Sequence, residues 1–159
     1  MMRKEKKQYE TPVKGWQGDR IDEEKRIQQE YGLANKREVW KARSAVRDFR
    51  RQARKLNAEE NPEKEQELID KLVNLGVLDE GADLNDVLDT SIEDVLDRRL
   101  QTVVERRGLA NTFNEARQLV SHGHIMIGDR RVDIPGYLVT VDEEDEIRVS
   151  PGSQHVVTE

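Results

Sequence analysis

The sequence predicts an α+β fold in which an N-terminal helical domain leads into a helix-turn-helix-like pair packed on a small, mostly antiparallel sheet. Three observations predict it. An apolar stripe at helical spacing runs from Val39 to Leu56. Two segments with polar caps at Ser91 and Thr112 are closed by Gly108 and Gly123. After Gly123 the apolar period changes from that of a helix to that of a strand, and helices preceding strands is an α+β order.

The elements follow in chain order. Residues 1–20 are polar and basic, with Pro12, Gly15 and Gly18, and read as an extended arm that offers Tyr9 and Trp16 for docking or stacking. Ile21 to Tyr31 is predicted as a short helix stopped at Gly32. Asn35 is the next N-cap, with Glu38 three residues on. Val39, Ala42, Val46, Phe49, Ala53 and Leu56 then recur every three or four residues, one face of an amphipathic helix. Asn57 to Glu67 begins as an acidic connector, Pro62 to Leu75 is helical, and Gly76 ends it. Ser91 to Arg106 is predicted as one helix, with Ser91 and Asp94 as a capping pair and Ile92, Val95, Leu96, Leu100 and Val103 buried. Thr112 and Glu115 cap the following helix, whose core face is Phe113, Ala116, Leu119 and Val120. Ile125 and Ile127 alternate as a strand. Gly128-Asp129 suits a two-residue type II′ hairpin turn because its first position is glycine. Tyr137 to Val141 and Ile147 to Val149 are further short strands, separated by the acidic loop Asp142 to Glu146. These elements group as an arm (1–20), a helical domain with an acidic connector (21–97) and a C-terminal domain (98–159).

Of the 159 residues, 38% are charged and 35% hydrophobic. That is lean in apolar residues for a compact domain, where about 45–50% apolar is usual, so two small cores or a fold that leans on a partner are expected. No run of about 18 apolar residues suggests a membrane span, and the N-terminus has no apolar secretory core. Cysteine is absent, so disulfides and thiolate ligands are excluded. The net charge is −6, but its distribution is uneven: +8 over residues 1–56, −12 over 57–97 and −2 over 98–159. Such asymmetry points to a basic contact surface that the mean conceals.

Arg43, Arg47, Arg50, Arg51, Arg54 and Lys55 share the sector beside the apolar stripe. An ordinary solvated helix mixes signs to gain pairs one turn apart; this sector is almost purely positive and suits a polyanion. Further on, Arg98, Arg99, Arg106 and Arg107 lie along one predicted helix and Arg117 on the next, whose N-terminus at Thr112 can itself receive a phosphate. Arg130 and Arg131 flank the hairpin turn, and His122 and His124 stand at the helix–strand corner. The arginine fork pairs with phosphates and stacks on bases. A plain surface charge explains any one of these residues; their clustering around one junction favours nucleic acid. The two histidines lack the third and fourth ligands that zinc requires. Ser121 beside His122 is adjacency without a positioned base, and no glycine-rich phosphate loop is present. No catalytic residue, metal or cofactor is therefore expected.

The stretch RRLQTVVERRGLANTFNEARQLVSHGHIMIGDRRVDIPGYLV, Arg98 to Val139, resembles the RNA-binding module of the ribosomal S-four family. YGLANKREVWKARSAVRDFRRQARKL, Tyr31 to Leu56, is similar to the helical domain of that family's archaeal and eukaryotic branch, and the likeness runs from about Tyr9 to Val149. The resemblance implies a non-enzymatic structural constituent of the small ribosomal subunit in the cytoplasm. Such a protein binds small-subunit ribosomal RNA, nucleates assembly of the subunit body, neighbours the S-five protein and bears on decoding accuracy. It implies an RNA surface of Arg98, Arg99, Arg106, Arg107, Thr112, Arg117, Gln118, His122, His124, Arg130 and Arg131, joined upstream by Arg47, Arg50, Arg51 and Arg54. Some bacterial members hold zinc through N-terminal cysteines that this chain lacks. Glu105 and the Gly128-Asp129 turn depart from the family pattern. Neither a membrane nor self-association is expected. The alternative is a ribosomal-RNA processing factor sharing the module. The acidic remainder, with arginines kept for contacts, is what binding at high salt requires, because phosphate contacts weaken steeply as salt rises.

Overall fold

The computed structural model describes residues 9–12 and 16–152, so most of the expected arm lies outside the described residues. Its element order is α1 (Gly18–Glu30), α2 (Lys36–Glu59), α3 (Pro62–Asn74), α4 (Leu84–Leu88), α5 (Ile92–Leu96), α6 (Leu100–Arg106), α7 (Phe113–Ser121), β1 (Ile125–Ile127), β2 (Arg130–Arg131), α8 (Val141–Glu144) and β3 (Ile147–Val149). The α+β class is as predicted, with helices first and one antiparallel sheet ordered β2-β1-β3.

Helix α2 is the spine of the first half. The Asn35 side chain accepts from the Glu38 N–H, a donor that a bare helix end would strand, and the Glu38 carboxylate accepts from the N–H of Ala34 just before the cap. All six residues of the apolar stripe, Val39 to Leu56, are buried. Full burial of a Val, Leu or Phe side chain contributes roughly 1.5–3 kcal/mol, and packing of such an amphipathic face, more than helix propensity, is what stabilises a helix in a fold. It packs against α1, α3, α4 and α5 in a cluster that runs from Ile27 to Leu96. The connector expected after Asn57 is shorter than predicted. Helix α2 runs on to Glu59, Glu60 turns left-handed at φ 51°, and Asn61 caps α3 at once, with Pro62 at the first helical position.

The largest departure from the sequence reading lies at Arg98-Arg99. The single helix expected over Ser91 to Arg106 is two short helices, α5 and α6, with Arg99 extended between them (φ −67°, ψ 142°). Partners from the distant 135–139 segment make the break. Leu100 N donates to Tyr137 O at 2.7 Å, Gln101 N to Pro135 O at 3.2 Å, and Val139 N to Arg98 O at 2.9 Å. The Thr102 hydroxyl takes up the Leu96 carbonyl at 2.8 Å. These bonds satisfy the N–H groups of Leu100 and Gln101 and the carbonyls of Leu96 and Arg98, which lowers the cost of the break.

The same contacts revise the predicted strand Tyr137 to Val141. Its only strand-like pairing among the described residues is an isolated bridge between Leu138 and Arg99. Thr140 then caps α8, accepting from Glu143 N, so the expected acidic loop is in large part a helical turn. The hairpin is as predicted. Gly128 has φ 61° while Asp129 keeps a negative φ, the type II′ pattern.

A second core cluster, from Leu100 to Ile147, joins α6 and α7 to the inner face of the sheet. The two halves meet where Gln101, fully buried, donates to the carbonyls of Gly32 and Phe113 at 2.9 and 3.0 Å. Gly32 has φ 62°, and a Cβ there would lie 2.4 Å from the Cβ of Phe113, so only glycine fits. Among the described residues no helix is long and apolar enough to cross a membrane.

Candidate nucleic-acid interface

The basic sector of α2 divides when its packing is seen. Arg43 turns inward and pairs with the buried carboxylate of Glu24 at 3.0 Å, beside Arg20 at 2.8 Å and the Trp40 indole N–H at 3.1 Å. Burial pushes the Glu24 carboxyl up, but the hydrogen bonds from Arg20 and Trp40 and the charges of Arg20 and Arg43 outweigh it and hold it below the ordinary range. Arg50 donates to the Thr90 carbonyl and ties α2 to the turn before α5. Arg47, Arg51 and Arg54 remain exposed. Arg47 and Arg51 face Glu10, and Arg51 also pairs with Asp48 at 3.5 Å. Arg54 has no ion-pair partner among the described residues.

The arginines of the second half divide likewise. Arg98 is spent inside: its Nε donates to Leu75 O at 2.8 Å, Nη2 to Val139 O at 3.0 Å, and Nη1 pairs with Glu144 at 3.0 Å. Arg99 is buried and pairs with Glu38 at 2.9 Å. Glu38 also holds Arg117 at 3.0 Å, so one carboxylate at the start of α2 clasps an arginine before α6 and another on α7. Burial raises the Glu38 carboxyl, yet Arg99 and Arg117, with the Ala34 N–H, bring it below its ordinary value. Burial likewise lowers Arg99, opposed by Glu38; a guanidinium still stays charged.

Exposed cations remain around the module. Arg106 pairs with Asp97 at 2.8 Å and Arg107 with Asp145 at 3.5 Å. Arg130 donates to the Tyr137 hydroxyl at 3.1 Å, lies 5.8 Å from that ring's centre and sits 3.7 Å from Glu143. Arg131 lies over the backbone at Gly123, where a Cβ would be 3.1 Å from its Cδ. The rings of His122 and His124, on either side of Gly123 in the chain, meet edgewise with their centres 6.4 Å apart. Gln118 is exposed on α7, and the Thr112 hydroxyl caps that helix by accepting from Glu115 N at 3.1 Å.

Strand register adds a residue that the sequence reading passed over. Met126 pairs with Arg131 on one side and Arg148 on the other. Paired residues share a face, so Arg131, Met126 and Arg148 line the outer surface of the sheet while Ile125, Ile127 and Ile147 fill the core. The alternation Ile147, Arg148, Val149 already carried that signal. Arg148 also donates to Gly128 O at 3.0 and 3.2 Å, bracing the hairpin turn. The arrangement offers guanidiniums, imidazoles and an amide on a corner braced from behind, which suits binding an anionic polymer. Among the described residues no group of three or more His, Asp or Glu is placed to hold a metal ion.

Residues 98–147 match the S4 domain family. Along its length the chain is similar to the small ribosomal subunit protein uS4 of Methanothermobacter thermautotrophicus, at 54% identity over 95% of this chain and 90% of that protein. The uS4 protein of Methanospirillum hungatei is 48% identical over 98% of this chain and 90% of its own length. That of Nanoarchaeum equitans is 46% identical over 96% and 87%. With this identity over nearly its whole length, the chain belongs to the uS4 family of small ribosomal subunit proteins and carries its S4 domain in residues 98–147, the segment that holds the hairpin and most of the basic corner.

Proposed function

We propose that this protein is a structural constituent of the small ribosomal subunit and binds that subunit's RNA. The kinship to uS4 proteins over nearly the whole chain carries the reading. The proposed contact surface comprises Arg106, Arg107, Arg130, Arg131 and Arg148 with Gln118, His122 and His124, and the exposed Arg47, Arg51 and Arg54 of α2. Arg43, Arg50, Arg98 and Arg99 brace it from within, and Arg117, shared with Glu38, bridges the two roles. Phosphate contacts position such a protein, and shape, junctions and splayed bases supply selectivity, because the A-form major groove is too narrow for side chains to read. Its work is binding rather than chemistry, in the ribosome, beside other small-subunit proteins that include S-five, with a bearing on subunit assembly and decoding accuracy.

The test is binding to archaeal small-subunit ribosomal RNA across a salt series. Replacing Arg106, Arg107 and Arg131 with alanine should weaken binding and flatten the salt dependence by roughly 0.7–0.9 logarithmic units per phosphate contact removed. Unchanged affinity and slope would remove these residues from the interface.

A further inference from the structure

The arm places an anion on the basic helix. Glu10 sends one carboxylate oxygen to each of two guanidiniums: Oε2 lies 3.2 Å from Arg47 Nη1 and Oε1 lies 3.9 Å from Arg51 Nη2. A phosphate bridges two arginines in the same way, one oxygen to each. We infer that Arg47 and Arg51 form a backbone-phosphate subsite on α2 which Glu10 fills in the free protein, so that RNA gains the subsite only by displacing Glu10; this rests on the RNA-binding reading above.

The two arginines are one turn apart and both more than half exposed. Their neighbours Arg43 and Arg50 are already held by Glu24 and the Thr90 carbonyl, so between Arg43 and Arg51 the guanidiniums left for an outside anion are the two that Glu10 faces. Asp48 touches Arg51 at 3.5 Å but does not reach Arg47. The arm is held independently of its carboxylate. The Glu10 N–H donates to the Ser44 hydroxyl at 3.0 Å, and the Tyr9 ring lies 6.0 Å from that of Trp40. Neutralising Glu10 therefore removes the competing charge and leaves the arm in place. A cleft of about 380 Å³ lined by Glu10, Arg20, Trp40, Arg43 and Arg47 adjoins the Glu10–Arg47 contact.

The experiment measures the affinity of wild type and Glu10→Gln for archaeal small-subunit ribosomal RNA over a salt series, alongside the same substitution in an Arg47→Ala/Arg51→Ala background. An exposed pair of this kind corresponds to an affinity gain of about twofold to fivefold for Glu10→Gln at low salt. The gain should shrink toward one as salt screens the internal pair, and it should vanish in the double-arginine background, as a coupled pair requires. Glu23→Gln, an exposed carboxylate on α1, controls for net charge and should leave affinity unchanged. No gain for Glu10→Gln overturns the inference, as does an equal gain in the Glu23 control or in the double-arginine background. A wild-type protein that binds no RNA at any salt overturns the RNA-binding reading itself.

Discussion

Replacing Glu38 with alanine should strand two arginines at the junction between the halves of the molecule. The carboxylate is 16% exposed and accepts from Arg99 at 2.9 Å and Arg117 at 3.0 Å, as well as from the Ala34 N–H at 2.6 Å. Arg99 is only 7% exposed, and its Nη1 already lacks a partner. Removing one member of a buried pair costs about 3–5 kcal/mol, because the remaining charge stays buried without compensation. Arg117, at 30% exposed, recovers some hydration, which places the expected loss near the lower end, about 3 kcal/mol. For a chain of this length that is a fall in Tm of about 6–12 °C. Urea unfolding should show a lower midpoint with an unchanged slope. Glu38→Gln should fall between wild type and alanine, since it keeps an acceptor for Ala34 and loses the charge. Glu30→Ala is the comparator: its pair with Arg26 at 3.5 Å is exposed on both sides and should contribute no more than about 1 kcal/mol. A loss for Glu38→Ala no larger than for Glu30→Ala would refute the reasoning that this carboxylate holds the junction.

Two pH dependences follow from the buried groups. Glu24 and Glu38 titrate below their ordinary value of 4.5 in the folded protein, so their contribution is complete above the unfolded range and is lost as pH falls through the folded values. The urea midpoint should hold steady from neutrality to about pH 5 and decline below about 4.3, less steeply in Glu38→Gln; equal slopes in the two proteins would contradict the assignment. Tyr31 runs the other way. Burial, then its 2.9 Å bond to Asp97, pushes its hydroxyl up to about 12. Its contribution is present below the ordinary 10 and is lost as pH rises toward 12. Phenolate absorbance should show a late-titrating component that shrinks in Tyr31→Phe, Tyr137 being raised in the same direction by burial and Glu143, and a late component unchanged by that substitution would argue against it.

Which cations of the candidate surface lie exposed is legible in the sequence where the signal is local. The exposed cations Arg106, Arg107, Arg130 and Arg131 follow from caps, glycines and a two-residue turn, each set by neighbours within a few positions. Arg148 was equally legible through strand alternation and was passed over. The roles of Arg98 and Arg99 were not legible. As sequence they continue a helix and add two cations to a basic surface; as structure they interrupt it and face inward. Nothing within the local stretch signals the interruption, since no glycine or proline stands there. Arg43 and Arg50 are the same case on α2, where an unbroken positive sector hid two side chains that brace other elements.

The sequence by itself determined the α+β order, the apolar face of α2, the capped α7, the type II′ hairpin and the resemblance that leads to the uS4 family. Short-range backbone chemistry and the period of apolar residues suffice for these. Only the tertiary structure decided that α5 and α6 are separate, that Glu38 clasps Arg99 and Arg117, and that Glu10 lies on Arg47 and Arg51. Those outcomes depend on acceptors and charges 34 to 79 residues away along the chain, and a guanidinium reads the same in sequence whether a carboxylate meets it inside the fold or it is left exposed for a phosphate.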